Sequence, residues 1–279
     1  MATGATEFID LTTVDVFLEE VWSTKCTVAR EAKLYFTPNV NRGFEAELLR
    51  GQILRVQNIS DLAARTKSAN TAITFETVTE TESTITINNY VYAAYALEDV
   101  IKPMVAVSKI ELYVGKVGYA LAKNEDSALA ALIDDGTITS SVGTLATELT
   151  YDNLIRSDQY LNDANASEEG RVIITSPAQK AGFLKLDQFI NRDYADLRTG
   201  ILGSWMGYPI FVTTNTDGTN AAGHDSVMMQ KECIAHISQI KPIVKTFWDI
   251  DYFCGKVASL TTYGSTIMRE SHGVWMKGA

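Results

Sequence analysis

The sequence is poor in the residues that carry chemistry. It has three cysteines, Cys26, Cys233 and Cys254, and three histidines, His224, His236 and His272. The cysteines are odd in number and form no CxxC pair, which argues against a disulfide framework or a zinc site. They read as buried free thiols of a protein made in a reducing compartment. The histidines show neither HxxxH nor HExxH spacing. His236 falls in an alternating strand and reads as structural, while His224 falls in a polar loop and reads as solvent-facing. The glycines at 200, 203 and 207 lack the GK[ST] of a phosphate loop, and no GxSxG elbow occurs. Acidic pairs such as Glu98-Asp99, Asp134-Asp135 and Glu168-Glu169 read as solvated turns and helix ends, not as an acid–base couple. No catalytic residue, metal ligand or cofactor is expected.

Positive charge is also scarce. Lys and Arg number 24 against 34 Asp and Glu, a net charge of −10, with a pI near 4.8. That balance argues against a protein whose main work is gripping phosphate backbones, though not against one that lies beside nucleic acid. No apolar run reaches the roughly 18 residues of a membrane-spanning helix, so no membrane partner is expected. The N-terminus has no basic start followed by an apolar stretch, so a signal peptide is not expected.

What is present is enough for a sizeable core: 279 residues, 46% of them hydrophobic, or one large domain or two small ones. Residues 1–45 look loosely committed but carry Phe8, Phe17, Trp22, Tyr35 and Phe36, too many large side chains for a free tail. Such an arm lies either on its own domain or on a neighbour. Residues 44–56 and 70–95 read as strands, with apolar and polar residues alternating over 72–79 and 83–88. Their apolar face is thin, comprising Ile73, Phe75, Ile85 and Ile87, and a two-stranded ribbon with so little to bury is marginal by itself. The polar stretch 61–70 reads as its tip or a bend. Arg50, Arg55, Arg65 and Lys67 form the one cluster of positive charge, which reads either as a contact for an acidic surface of another copy, the reading favoured because the ribbon needs a partner, or as an ordinary solvated loop.

From 104 to 133 the period becomes helical. Ile110, Val114, Val117, Leu121, Ala128 and Leu132 share one face. Pro103 suits the first turn, and Asp134-Asp135-Gly136 the end. The rod is about 45 Å long at about 1.5 Å per residue. Gly115 and Gly118 inside it imply close approach of another element. After 137–147 the pattern turns α/β. A helix capped by Thr150 or Asp152 runs to about 165, a buried strand covers 170–175, and Ser176-Pro177 opens a short helix to 184. Residues 197–207 read as a glycine-punctuated loop, 208–214 as a strand and 215–224 as a surface loop. Further strands are expected at 227–237, 243–248, 257–268 and 273–277, with a weak helix at 249–256.

The order of these segments resembles the major capsid protein of tailed phages, the Hong Kong 97 fold. Locally, Leu97-Glu98-Asp99-Val100 resembles the family's ribbon-to-spine junction, and Lys116-Val117-Gly118-Tyr119-Ala120-Leu121-Ala122 its spine ending. Tyr151-Asp152-Asn153-Leu154 with Leu161-Asn162-Asp163-Ala164-Asn165 resembles its axial-domain helix. Gly170-Arg171-Val172-Ile173-Ile174-Thr175-Ser176-Pro177 resembles its strand and turn. Gly203 to Gly207 followed by Tyr208-Pro209-Ile210-Phe211-Val212 resembles its glycine-aromatic strand element, and Tyr263-Gly264 with Arg269 its closing strand.

The resemblance implies an α+β chain with an N-terminal arm (1–43), an extended β-ribbon (44–95), a spine helix with peripheral domain (96–136), an axial domain (137–240) and returning peripheral strands (241–279). It implies a non-enzymatic coat protein that forms hexamers and pentamers of an icosahedral shell around double-stranded DNA, found in the virion and assembled in the host cytoplasm. Scaffolding, portal and decoration proteins would be its further partners. No long charged delta segment precedes the arm, so a separate scaffolding protein, or none, is expected. The expected inter-subunit contacts are Phe17 and Trp22 of the arm and Arg65, Lys67, Ile73, Phe75, Ile85 and Ile87 of the ribbon. Either the 200–207 or the 215–224 loop would lie near the capsomer centre. An encapsulin-like nanocompartment shell, a hydrolase or transferase built on 150–250, and a tail or decoration protein are the competing readings.

Overall fold

A computed structural model of the chain describes residues 31–59, 62–78, 80–99, 107–134, 137–186, 203–219 and 221–278. The chain divides into two compact units, Met1–Glu31 and Ala32–Ala279. All but Glu31 of the first, with Phe17, Trp22 and Cys26, lies outside the described residues, as do Pro103 and Gly136.

The second unit opens with single 3-10 turns at Thr37–Asn39 and Gly43–Ala46. Strand β1 (Ile53–Ile59) pairs antiparallel with β2 (Glu80–Thr86), and β3 (Asn89–Glu98) follows. Helix α1 spans Val107–Ala130 and is followed by β4 (Ser141–Gly143), α2 (Tyr151–Asp163), β5 (Arg171–Thr175) and α3 (Pro177–Phe183). The rest is strand: β6 (Ser204–Trp205), β7 (Tyr208–Val212), β8 (Gly218–Thr219), β9 (Gly223–Gln230), β10 (Ile234–Asp249), β11 (Cys254–Ile267) and β12 (Gly273–Gly278).

Three sheets result. A seven-stranded mixed sheet has the order β4-β12-β9-β5-β7-β6, with β8 beside β9. Every residue of β5 is buried because both faces of this sheet are covered. On one face Ile173, Met228, Val274 and Met276 meet Leu154 and Leu161 of α2 and Phe183 of α3. On the other, Val172, Ile174, Val227 and Met229 meet Leu129 and Ala130 of α1 together with Phe36 and Val40. A second, antiparallel sheet has the order β10-β11-β3. The β1–β2 ribbon is the third. Its base crosses β11 so closely that a Cβ on Gly264 would stand 2.3 Å from the Thr86 carbonyl oxygen.

Local signals account for the helices of the large sheet. The Thr150 hydroxyl accepts from Asn153 N at 3.3 Å, and Ser176 caps α3 at Gln179 N with Pro177 in the first turn. These are the expected caps.

Several expectations change. Residues 62–78 adopt no regular structure apart from a turn at Asn70, whose φ is 61°. Alternation over 72–79 has no strand to pair with there, so it does not make a strand. The first strand begins at Ile53, later than the expected 44, because Gly43–Ala46 is a turn. Cβ atoms added at Gly115 or Gly118 meet nothing within 4 Å among the described residues, so none of those residues makes the close approach expected there. The expected helix at 249–256 is instead the end of a β10–β11 hairpin. The 215–224 loop is not wholly superficial: Asn215 and Thr216 are buried.

Candidate functional site

Among the described residues no group of three or more His, Cys, Asp and Glu side chains lies together as a metal centre would need. Burial pushes the Cys233 thiol up to about 12, which leaves it no thiolate character. His236 is fully buried, and its Nδ1 stands 2.8 Å from Ser265 Oγ. Burial, helped by Arg42 and opposed by Glu45, lowers its pKa to about 4. Arg171 is also buried. It donates to Asp158 at 2.7 Å, to Asn162 at 2.8 Å and to the Ala166 carbonyl at 2.6 Å, and stacks over Tyr208. This side chain ties α2 to the large sheet and has no free donor face for a substrate.

The surface is more informative. Two projections expose large apolar side chains. The first is the ribbon tip, residues 62–78, where Leu62, Ile73 and Phe75 are exposed, Phe75 to 87%. The tip curls around an open groove of about 590 Å³ lined by Leu62, Arg65, Lys67, Ile73, Phe75 and Glu76. Glu76 holds the curl. It accepts from the Ala63 N–H at 3.2 Å and lies 3.9 Å from Arg65. Lower down the ribbon the expected contacts differ. Ile85 has no exposed surface and packs with Leu48, Ala235 and Ile237, and Ile87 packs partly buried against the same cluster. The body covers Ile85 completely, so that side chain has no surface left for a neighbour, while Ile87 is covered in part.

The second projection is the outer β10–β11 hairpin. Ile243, Val244, Phe247, Trp248, Ile250, Tyr252 and Phe253 are all exposed. Trp248 donates from Nε1 to Asp99 at 2.7 Å and meets Phe253 edge to face. Lys256 pairs with Asp249 and lies over the Tyr252 ring, 5.0 Å from its centroid. That hydrogen bond holds the Asp249 carboxyl below its ordinary range. Phe253 has φ 46°, a left-handed conformation that Asn or Gly adopts at less cost. The sequence reading missed this surface, although a signal was there. The adjacent apolar pairs Ile243-Val244 and Phe247-Trp248 put hydrophobic groups on both faces of one strand, which a sheet with one dry face would not need.

A third feature holds the body together. Three successive polar residues near the end of α1 grip other parts of the chain, the first two β11 and the third the segments at Phe36 and Asn215. Asn124 accepts from the Tyr263 hydroxyl at 2.7 Å, and Glu125 accepts from Thr261 Oγ1 at 2.9 Å. Asp126, fully buried, accepts from Phe36 N at 2.9 Å and from Asn215 Nδ2 at 3.0 Å. Burial pushes the Glu125 carboxyl above its ordinary range, partly offset by the Thr261 bond.

This arrangement, a long helix between a covered mixed sheet and a projecting hairpin and ribbon, defines a shell protein of the Hong Kong 97 type. A family model described as phage capsid protein matches residues 45–270. No curated protein matches the chain in sequence. Among solved structures, a chain of Mycobacterium phage Che8 is similar at 20% identity and a TM-score of 0.81, covering 94% of this chain and 98% of that one. The capsid of Cyanophage P-SCSP1u is similar at 15% identity and a TM-score of 0.75, covering 96% and 94%. The mature capsid of bacteriophage PhiM1 gives 14%, 0.69, 94% and 92%. The chain belongs to the phage capsid protein family. It is a tailed-phage major capsid protein, a structural component of the virion built into a shell from many copies.

Proposed function

We propose that this chain closes an icosahedral shell of hexamers and pentamers around double-stranded DNA through two copy-to-copy surfaces, the ribbon tip and the outer hairpin. It works by geometry and addition of contacts, not by turnover. The observation that carries this reading is the concentration of exposed large apolar side chains on two projections, beside a large sheet whose central strands β5 and β9 are almost wholly buried. Ile73 and Phe75 supply apolar area for a neighbouring copy, and Arg65 and Lys67 supply charge to an acidic surface. Phe17 and Trp22 of the arm add to the same set. Beyond the Asn41 bridge at Ala235, the outer half of β10 pairs on its far edge with no strand among the described residues, and that edge offers a neighbour main-chain hydrogen bonds. Each contact is modest, but closed symmetry makes every subunit meet several others. The net charge of −10 keeps the shell from holding the packed phosphates tightly.

In this reading residues 1–43 are the arm, 44–95 the ribbon, 96–136 with 241–279 the peripheral part and 137–240 the axial part. Assembly takes place in the host cytoplasm, with scaffolding and portal proteins as further partners. The test is expression of the chain by itself, followed by size exclusion and negative-stain microscopy. Hollow particles or capsomer rings are expected, and a monomer at every concentration would overturn the reading. Replacing 62–78 with a short turn between Ile59 and Glu80 leaves the body folded and stops shell formation. Normal shells from that variant would remove the ribbon tip from the mechanism.

A further inference from the structure

The residues just after the first unit lie between two bodies of structure and touch both. On the side of α1, the Ala32 N–H donates to the Tyr119 hydroxyl at 2.8 Å. Phe36 N, Thr37 N and Thr37 Oγ1 all reach Asp126 Oδ1, at 2.9, 3.1 and 3.3 Å. On the side of β7, Tyr35 stacks on Phe211 with ring centroids 4.7 Å apart. Thr213 Oγ1 donates to the Lys33 carbonyl at 2.8 Å and accepts from Asn215 N at 3.2 Å. Asn215 Nδ2 then donates to Asp126 Oδ2 at 3.0 Å, so one carboxylate closes the circuit.

We propose that residues 32–37 form a strap that couples the root of the arm to the axial sheet, with the strap and the loop at 213–216 opening together through Asp126. The physical reason is the way the charge is held. Asp126 has no exposed surface, and four neutral donors, three from the strap and one from Asn215, stabilise its carboxylate. An ionised carboxylate in such a place is tolerated only while its donors stay in position. If the strap leaves, Asn215 faces a charge that has lost most of its hydrogen bonds, and water must enter the crevice between α1 and β7. If Asn215 leaves, the strap faces the same problem. Neither side opens cheaply without the other, which is a coupling free energy between two sites. A neighbour that grips the chain ahead of residue 32 thereby acts on the axial sheet. The coupling itself is a property of the single chain and does not depend on how copies meet.

The test is native-state amide hydrogen exchange on the full, unassembled chain. Asp126→Asn replaces one oxygen by an NH₂ group and removes the negative charge that the four donors share. The expected result is exchange faster by about tenfold or more at Phe36 and Thr37 and also at Asn215, with the β11–β3 amides unchanged. A rise confined to one side overturns the proposal. Should Asp126→Asn fold poorly, Thr213→Val serves as the second variant. It removes the bonds to Lys33 and Asn215 but leaves untouched the acceptor of the Phe36 and Thr37 amides. Faster exchange at those two amides, about threefold or more, is expected, and unchanged exchange there overturns the coupling.

Discussion

Strand β10 is two structures in one. Its first half is buried: Ile234, Ala235, His236 and Ile237 have no exposed surface. From Ile243 onward almost every residue is exposed. Both halves pair with the same partner, β11, and the ladder shifts register between Ser238 and Ile240 and again between Ile240 and Ile243. Such irregularities bend a strand and increase its twist, and Pro242 beside them is tolerated because β10 is an edge strand. Strand propensity is similar on the two sides of this break. What differs is the cover. The inner half is packed by Leu48 and Ile85, while the outer half carries its hydrophobic side chains into solvent. The inner half therefore serves folding, the outer half is the surface proposed for association, and substitutions should separate the two.

The largest losses of stability belong to the buried body. Arg171→Ala leaves Asp158 and two carbonyls without the guanidinium that they share. It should cost about 4 kcal/mol, the scale for removing one partner of a buried pair, and urea denaturation would show it as a lower midpoint. Ile237→Ala in the inner half of β10 should cost about 3 kcal/mol through the cavity it leaves. A loss below about 1 kcal/mol would mean that the inner half is not the packed element described above.

His236 adds a pH dependence to that inner half. Its folded pKa of about 4 lies below the ordinary 6.5, so the folded chain binds this proton less readily than the unfolded chain. Stability should fall as the pH drops from about 6.5 toward about 4. Glu125, 4.0 Å away, has its pKa raised, so its burial cost is relieved on acidification and it opposes the trend. The remaining charged groups that act on this histidine are Arg42 and Glu45. His236→Gln should flatten the acid slope by on the order of 2 kcal/mol. An unchanged slope between pH 6.5 and 4 would place the proton uptake elsewhere.

Legibility in the sequence followed the range of the interactions. The Thr150 and Ser176-Pro177 caps and the apolar run of β5 are local, and each could be read from a few neighbouring residues. The ribbon was readable as an alternating pattern, but its pairing was not. Glu80–Thr86 pairs with the first ribbon strand, Asn89–Glu98 pairs instead with β11, and 62–78 forms no strand. Ile85 has the same local pattern as Ile73, yet it is buried by Ala235 and Ile237 from far along the chain. The Asn124-Glu125-Asp126 series was invisible for the same reason. On a helix wheel these are polar positions, and their partners Thr261, Phe36 and Asn215 lie roughly ninety or more residues away. The exposed hairpin could have been noticed from its paired apolar neighbours, but its exposure depends on where β11 and β3 end.

The smallest expected change in stability tests the comparison most sharply. Phe253 is exposed to 64% and sits at φ 46°. Replacing it with Asn removes an exposed edge contact with Trp248 and relieves a left-handed backbone that Asn tolerates better. The two effects oppose, so the urea midpoint should move by less than about 0.5 kcal/mol in either direction. Assembly should respond differently. If the hairpin meets a neighbouring copy, Phe253→Asn removes apolar area from every such contact in the shell, and the loss multiplies over many subunits. The yield of closed particles at fixed protein concentration should fall severalfold, while the unassembled chain stays as stable as before. Equal yields from Phe253→Asn and the parent chain would show that a large aromatic held in an unfavourable backbone serves neither half of the strand, and would remove the outer hairpin from the assembly surface.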